Sequence, residues 1–223
     1  IVATAVDGSY VYASAEAAPA GTIVRLTKAT MALAPPTAAL GKAEHAEALA
    51  QDSVYVYAGT MTEPAKLYRV AKATMAPSPG VLTLPAGRGY LGRMFVDELA
   101  GFLYAVGRTS TGLVANVVLR VDLKKWSTFG PTEGGAASDA VRALELDAGA
   151  LSAFLPNAAG MGLINSLLES DELYLYGVGG ATNQATQVRT TRVVKISKAT
   201  MAVVAAVEFK DLQRVSTIAS DGT

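Results

Sequence analysis

One short pattern recurs along the 223 residues of this chain and restricts its fold more than any other feature. Tyr10-Val11-Tyr12-Ala13 returns as Tyr55-Val56-Tyr57-Ala58, and in looser form as Phe102-Leu103-Tyr104-Ala105 and Tyr174-Leu175-Tyr176-Gly177. After a loop, each copy is followed by a second segment. It reads Arg25-Leu26-Thr27-Lys28-Ala29-Thr30-Met31, then Arg69-Val70-Ala71-Lys72-Ala73-Thr74-Met75, and later Lys195-Ile196-Ser197-Lys198-Ala199-Thr200-Met201. The third copy is divergent: Arg120-Val121-Asp122-Leu123-Lys124-Lys125-Trp126. The tyrosine pairs step by 45, 47 and 72 positions, and the basic residue heading the second segment by 44, 51 and 75. The last step is longer because extra residues lie between Trp126 and Tyr174. Such self-similarity marks a repeat architecture, in which each unit buries its apolar surface on its neighbours.

Within each copy, apolar and polar residues alternate with the period of a strand. A first strand runs into a turn headed by Asp7-Gly8, Asp52-Ser53, Asp97-Glu98 or Asp171-Glu172, and Asp221-Gly222 stands at the same phase near the end of the sequence. Aspartate starts such turns because its carboxylate accepts hydrogen bonds from the backbone just ahead of it. The tyrosine-rich second strand has the aromatic and β-branched residues that suit a pleated, half-buried surface. A third strand is expected over residues 22–27, 66–71, 117–122 and 192–197, and a fourth over 81–84 and 203–209. Short antiparallel strands, four to a unit of about 40 to 50 residues, make one blade of a β-propeller.

The expected fold is therefore all-β. Its blades would lie at about residues 1–45, 46–90, 91–160 with an insertion at 129–160, and 161–214, with a further blade starting at 215–223. Residues 1–8 and 216–222 share one phase, so the first strand is represented once more than the others. The sequence also opens at Ile1, inside a strand pattern and without an initiator methionine. The expectation drawn from this is a section of a larger propeller, of about six to eight blades. The alternative is a complete four-bladed ring with a loose extra strand.

Taken in order, the apolar strand, Asp-Gly turn, Tyr-Val-Tyr strand, Val-x-Arg-Leu strand and Lys-Ala-Thr-Met turn resemble the Tyr-Val-Thr-Asn class of WD40-like propeller repeats. In that class a strand pair of the form x-Asp-Gly-x-x-x-Tyr-Val precedes Val-x-Val-Ile-Asp-x-x-Thr. The resemblance covers nearly the whole chain apart from residues 129–160. The second strand here reads Tyr-Val-Tyr-Ala, without the asparagine of the class. The class motif marks turns and core positions, so the resemblance implies no catalytic residue. For most members it implies a surface or secreted interaction module. A minority of relatives are lactonases or hold metals and cofactors.

Bulk properties narrow the function. Apolar residues make up 51% of the chain and charged ones 17%, which excludes a disordered polymer. Lys plus Arg equals Asp plus Glu at 19 each, and no basic run occurs, which argues against nucleic acid and anionic membrane surfaces as partners. No apolar stretch approaches the roughly 20 residues needed to cross a bilayer. Cysteine is absent, so neither a disulfide nor a thiolate metal site can form.

The candidate chemical groups each have a plain alternative. His45 is the single histidine. A zinc site needs further nitrogen or sulfur ligands, and no Gly-x-Ser-x-Gly elbow supplies a nucleophile, so His45 reads as a solvated loop residue. The aspartates at positions 7, 52, 97, 171 and 221 can be pictured as a carboxylate ring for calcium, but the same residues are what such turns require. Arg25, Arg69, Arg120 and Lys195 occupy one repeat position and could grip an anion or an acidic partner. The simpler reading is that their stems cover the tyrosines. Met31, Met75, Trp126 and Met201 read as packing between blades. The run Gly177-Val178-Gly179-Gly180-Ala181 is no phosphate loop, because neither Lys-Ser/Thr nor a helix follows it.

The segment that breaks the repeat carries Thr132, Glu133, Ser138 and Asp139 in a Gly/Ala/Ser-rich loop, the first place to expect contact with a partner. Residues 140–146 after it suit an extra strand or a short helix. The function expected is a non-enzymatic structural or protein-interaction module, extracellular or at the cell surface. It would have a protein partner, no catalytic residues, no metal and no cofactor. Two alternatives stand beside it. One is a propeller hydrolase or lactonase with acids at the central channel. The other is a filament subunit that pairs through the open edge of the array.

Overall fold

The computed structural model describes residues 2–16, 20–42, 44–86, 88–109, 116–128, 140–146, 151, 162–182 and 189–210. The first sheet is β1 (Thr4–Val6), β2 (Tyr10–Ala15), β3 (Ala20–Thr27) and β4 (Ala38–Lys42), paired in chain order. The second is β5 (Ala46–Gln51), β6 (Tyr55–Thr60), β7 (Lys66–Ala71) and β8 (Ala76–Pro77), with β9 (Leu82–Thr83) also pairing β7. The third is β10 (Arg88–Asp97), β11 (Phe102–Thr109), β12 (Asn116–Asp122) and β13 (Val141–Glu145), with a 3-10 helix at Leu123–Thr128. The fourth is β14 (Gly162–Ser170), β15 (Tyr174–Thr182), β16 (Arg189–Ser197) and β17 (Ala202–Lys210). All pairings are antiparallel, and all but that of β9 on β7 join consecutive strands. The fold is all-β, and its unit is the four-stranded propeller blade.

One outer strand differs from the sequence reading for a definite reason. The fourth strand expected at 81–84 is divided between β8 and β9, because Pro77 and Pro79 remove backbone donors from the ladder. Residues 140–146 contain β13, and its pairing makes it the outermost strand of the third sheet. The segments at 129–139 and 215–223 lie outside the described residues.

Register explains how each blade presents its side chains. Tyr12 stands opposite Arg25, Tyr57 opposite Arg69, and Tyr176 opposite Lys195. Cross-strand partners project to the same side of a sheet, so each blade has one face rich in aromatics and cations. The Lys-Ala-Thr-Met segment closes the turn after the third strand. The amides of Met31, Met75 and Met201 donate back to the carbonyls of Thr27, Ala71 and Ser197 at 2.7, 2.7 and 2.8 Å. These methionines take the left-handed conformation, with φ of 54°, 53° and 52°. That conformation costs about 1 kcal/mol for a residue with a Cβ. At Met75, burial to 2% exposure offsets the cost.

The chain divides into two compact units, one built on the first three blades and the other on the fourth. In the first unit, Tyr12, Ile23, Ala38 and Leu40 from the first blade form one buried cluster with Val56, Ala58, Val70 and Met75 from the second. The second and third blades meet closely at Gly59, where a Cβ would lie 2.7 Å from Leu91 Cβ and 3.0 Å from Met94 Sδ. Gly59→Ala is therefore expected to destabilise the unit by about 2 kcal/mol through overpacking. Urea denaturation checks this, and an unchanged midpoint would contradict such close packing.

Candidate functional site

In every blade an aspartate stands at the end of the first strand, at Asp7, Asp52, Asp97 and Asp171. The carboxylate of Asp7 accepts the amides of Ser9 and Tyr10 at 2.9 and 2.8 Å on one oxygen, and the Tyr12 hydroxyl at 3.0 Å on the other. Asp52 accepts the amides of Val54 and Tyr55 at 2.7 and 2.6 Å, and the Tyr57 hydroxyl at 2.6 Å. Asp171 accepts those of Leu173 and Tyr174 at 2.8 and 2.7 Å, and the Tyr176 hydroxyl at 2.6 Å. In each case the side chain closes the turn and locks the second tyrosine of the following strand. Asp97 heads a turn two residues longer and accepts the Ala100 amide at 3.1 Å. Asp221 lies outside the described residues.

The four repeat cations each stand over an aromatic ring of their own blade. Arg25 lies 4.6 Å from the centre of Tyr10, Arg69 4.3 Å from Tyr55, Arg120 4.7 Å from Phe102, and Lys195 3.7 Å from Tyr174. Attraction between a cation and the ring face holds them there. Arg25 is fixed further, donating to the carbonyls of Lys72 at 2.7 Å and Pro35 at 3.2 Å. Trp126 takes the place of the repeat methionine and sits 5.7 Å from Tyr57, with Arg69 at 4.8 Å over its ring.

An open depression of about 700 Å³ lies where the first two blades meet. Asp7, Tyr10, Arg25, Gln51, Asp52 and Lys72 line it, together with Ser53 and Glu98. Lys72 is its central cation. The ammonium lies 3.0 Å from the Asp7 carboxylate, donates to Gln51, and stands 5.5 Å over the Tyr12 ring. It thus ties the turn of one blade to the turn of the next. Glu98 accepts the Ser53 amide at 3.2 Å and brings the third blade to the rim.

Electrostatics follow from this geometry. Burial opposes ionisation of Asp7, but hydrogen bonds from Lys72, the Tyr10 and Ser9 amides and Tyr12 outweigh it and bring its pKa down to about 2. The Tyr12 and Tyr57 hydroxyls are pushed up, first by burial and then by donating to Asp7 and Asp52. A lowered carboxylate pKa contributes stability above its unfolded value of 3.8 and loses it as pH falls toward about 2. With 18% of the Asp7 side chain exposed, the contribution at neutral pH is about 1 to 2 kcal/mol. The stability gap between wild type and Asp7→Asn is therefore expected to close as pH is lowered through that window. A gap that persists at pH 2 would contradict the assignment.

A second polar cluster lies within the same unit. Glu44 is 6% exposed and accepts the Lys66 ammonium at 2.7 Å and the Tyr68 hydroxyl. A Cβ on Gly41 would collide with both Glu44 and Tyr68, at 2.6 and 2.7 Å. The carboxylate is enclosed by partners, which makes the cluster a fastening between the first two blades. His45 lies in the loop between β4 and β5, 39% exposed and 4.0 Å from Glu16. Thr132, Glu133, Ser138 and Asp139 lie outside the described residues. Lys72, Gln51 and Glu98 were not singled out from the sequence. The signal for Lys72 was there, since it repeats Lys28 and stands one repeat beyond the turn it reaches. Among the described residues, no group of three or more His, Asp or Glu side chains is placed to hold a metal ion. No helix among them is long and apolar enough to cross a membrane.

No family model matches the sequence, and no curated protein matches it. Solved structures do match. One is titled as the crystal structure of the mitotic checkpoint complex, with 9% identity, a TM-score of 0.47, and coverage of 93% of this chain and 62% of that one. Another is a Synechocystis apocarotenoid oxygenase mutant, with 10% identity, a TM-score of 0.47, and coverage of 91% and 46%. The chain spans less than two thirds of the length of either.

Proposed function

We propose that this chain is a non-enzymatic protein-interaction module of propeller type, belonging to an extracellular or surface-associated protein. The observation that carries the reading is the use made of the repeat acids. Asp7, Asp52 and Asp171 each spend both carboxylate oxygens on their own turn and tyrosine. A hydrolytic site needs acids free to exchange protons with a substrate, and these are committed to donors of the fold. The resemblance to the Tyr-Val-Thr-Asn repeats supports the same reading and the location outside the cell.

The depression between the first two blades is the surface offered to a partner. Its cations, Arg25 and Lys72, are bound to carbonyls, a carboxylate and rings, whereas Glu98 stands exposed at the rim beside Asp52. A basic, extended peptide segment suits it. Selection from a displayed peptide library tests this. Lys/Arg-rich binders are expected, and Glu98→Lys is expected to weaken them about tenfold, the equivalent of one lost charge contact. Absence of such binders would overturn the groove as the contact surface. Ester or lactone turnover that disappears in Asp52→Asn would overturn the non-enzymatic reading.

A further inference from the structure

Lys72 fastens the second blade to the first, and its counterpart on the third blade is not a lysine. The position is held by Lys28, Lys72, Leu123 and Lys198 in successive copies. Its backbone is placed alike in all four. The amides donate to the carbonyls of Ser9, Val54, Gly101 and Leu173 at 2.9, 3.0, 3.0 and 3.0 Å. From that anchor the Lys72 ammonium reaches Asp7 at 3.0 Å and donates to Gln51. It lands on Asp7 Oδ2, the oxygen that also accepts the Tyr12 hydroxyl.

One blade further on, the receiving turn is built in the same way but the cation is absent. Asp52 repeats Asp7, and its Oδ2 accepts the Tyr57 hydroxyl at 2.6 Å. Leu123 stands in the place of Lys72, and Val96 in that of Gln51. Arg69 lies over the Tyr55 and Trp126 rings, 4.3 and 4.8 Å from their centres. Among the described residues, no cation forms an ion pair with Asp52 or Glu98. Both acids line the depression, Asp52 half-buried and Glu98 exposed, and the Ser53 amide holds Glu98 to the Asp52 turn at 3.2 Å. Val54 and Leu99, next in the chain to Ser53 and Glu98, are 54% and 102% exposed.

We propose that the partner supplies the lysine that the third blade lacks. A lysine side chain of the bound segment enters beside Asp52 and Glu98, as Lys72 does beside Asp7, and its ammonium donates to the two carboxylates. An apolar neighbour of that lysine rests on Val54 and Leu99. The chemistry recognised is therefore a lysine next to an apolar residue. Charge decides for this occupant: an aspartate turn of the same build already receives an ammonium at 3.0 Å within this molecule. Leu123 is then the residue that keeps the place open, because a lysine there would close it from inside. The inference rests on the reading of the depression as a peptide groove and narrows that groove to one pocket.

Fluorescence polarisation with a labelled Ser-Lys-Leu-Lys-Leu-Ser peptide tests it, with glutamine in place of each lysine as the control peptide. Wild type is expected to bind the lysine peptide about tenfold more tightly than the control. Leu123→Lys is expected to weaken the lysine peptide about tenfold. Leu173→Lys adds the same charge at an exposed turn of the fourth blade and is expected to change affinity less than about twofold. A second measurement needs no variant: the carboxyl carbon resonance of Asp52 is expected to shift when wild type takes up the lysine peptide, and to stay in place with the control. Binding that survives Leu123→Lys but is lost in Glu98→Lys would overturn the lysine pocket and leave the groove standing. So would an Asp52 resonance that does not respond to the bound lysine peptide. Absence of any basic binder would overturn both.

Discussion

Trp126→Ala is expected to lower the stability of the first unit by about 4 kcal/mol, the largest effect of any single substitution considered for this chain. Trp126 is 1% exposed, its ring is tilted 59° against Tyr57 at 5.7 Å, and the Arg69 guanidinium lies 4.8 Å from the centre of its ring. Truncation removes the transfer free energy of an indole, opens a void between the second and third blades, and strips the cation of one of its rings. Trp126→Met restores the residue that the repeat uses elsewhere, and is expected to recover about half of the loss. Urea denaturation followed by far-ultraviolet circular dichroism measures both. The method matters because Trp126 is the chain's one tryptophan and its fluorescence disappears with it. A cost below about 1 kcal/mol would mean that the junction does not hold the blades together.

Asp52→Ala is expected to cost about 3 kcal/mol. It leaves the amides of Val54 and Tyr55 and the hydroxyl of Tyr57 without their acceptor. The amides lie at an exposed turn where water replaces part of the loss, but Tyr57 is 1% exposed. A buried phenol that loses its partner bears the desolvation penalty nearly in full. Asp52→Asn keeps one acceptor oxygen and is expected to cost about half as much. Thermal unfolding of the two variants and Tyr57→Phe gives the ranking, and equal midpoints for all three would contradict it.

The parts of this structure legible in the sequence are those encoded locally and then repeated. The strand β7 spans the residues expected for the third strand, because Lys66 to Ala71 repeats the place of residues 22–27 between a proline loop and the Lys-Ala-Thr-Met turn. The turn role of Asp7, Asp52 and Asp171 was legible for the same reason, since an aspartate reaches amides two and three residues ahead. The stacking of Arg25, Arg69, Arg120 and Lys195 on aromatics follows from register between adjacent strands. What escaped was non-local or not repeated. The bridge from Lys72 to Asp7 joins two blades and needs their packing to be known. The cluster of Glu44, Lys66 and Tyr68 has no counterpart in the pattern, because Glu44 lies in the short connection between β4 and β5. The divided outer strand of the second blade follows from backbone donors missing at proline, an effect that apolar patterning does not register.

The recurring acids are proposed to belong to the fold and not to a reaction. A double-mutant cycle on Asp52 and Tyr57 tests it most directly, using Asp52→Asn, Tyr57→Phe and the pair in urea denaturation. The hydrogen bond of 2.6 Å between them predicts a coupling of about 1 to 2 kcal/mol in favour of the wild-type pair. Additive effects, with no coupling, would show that the carboxylate is not held by the tyrosine and would contradict the account.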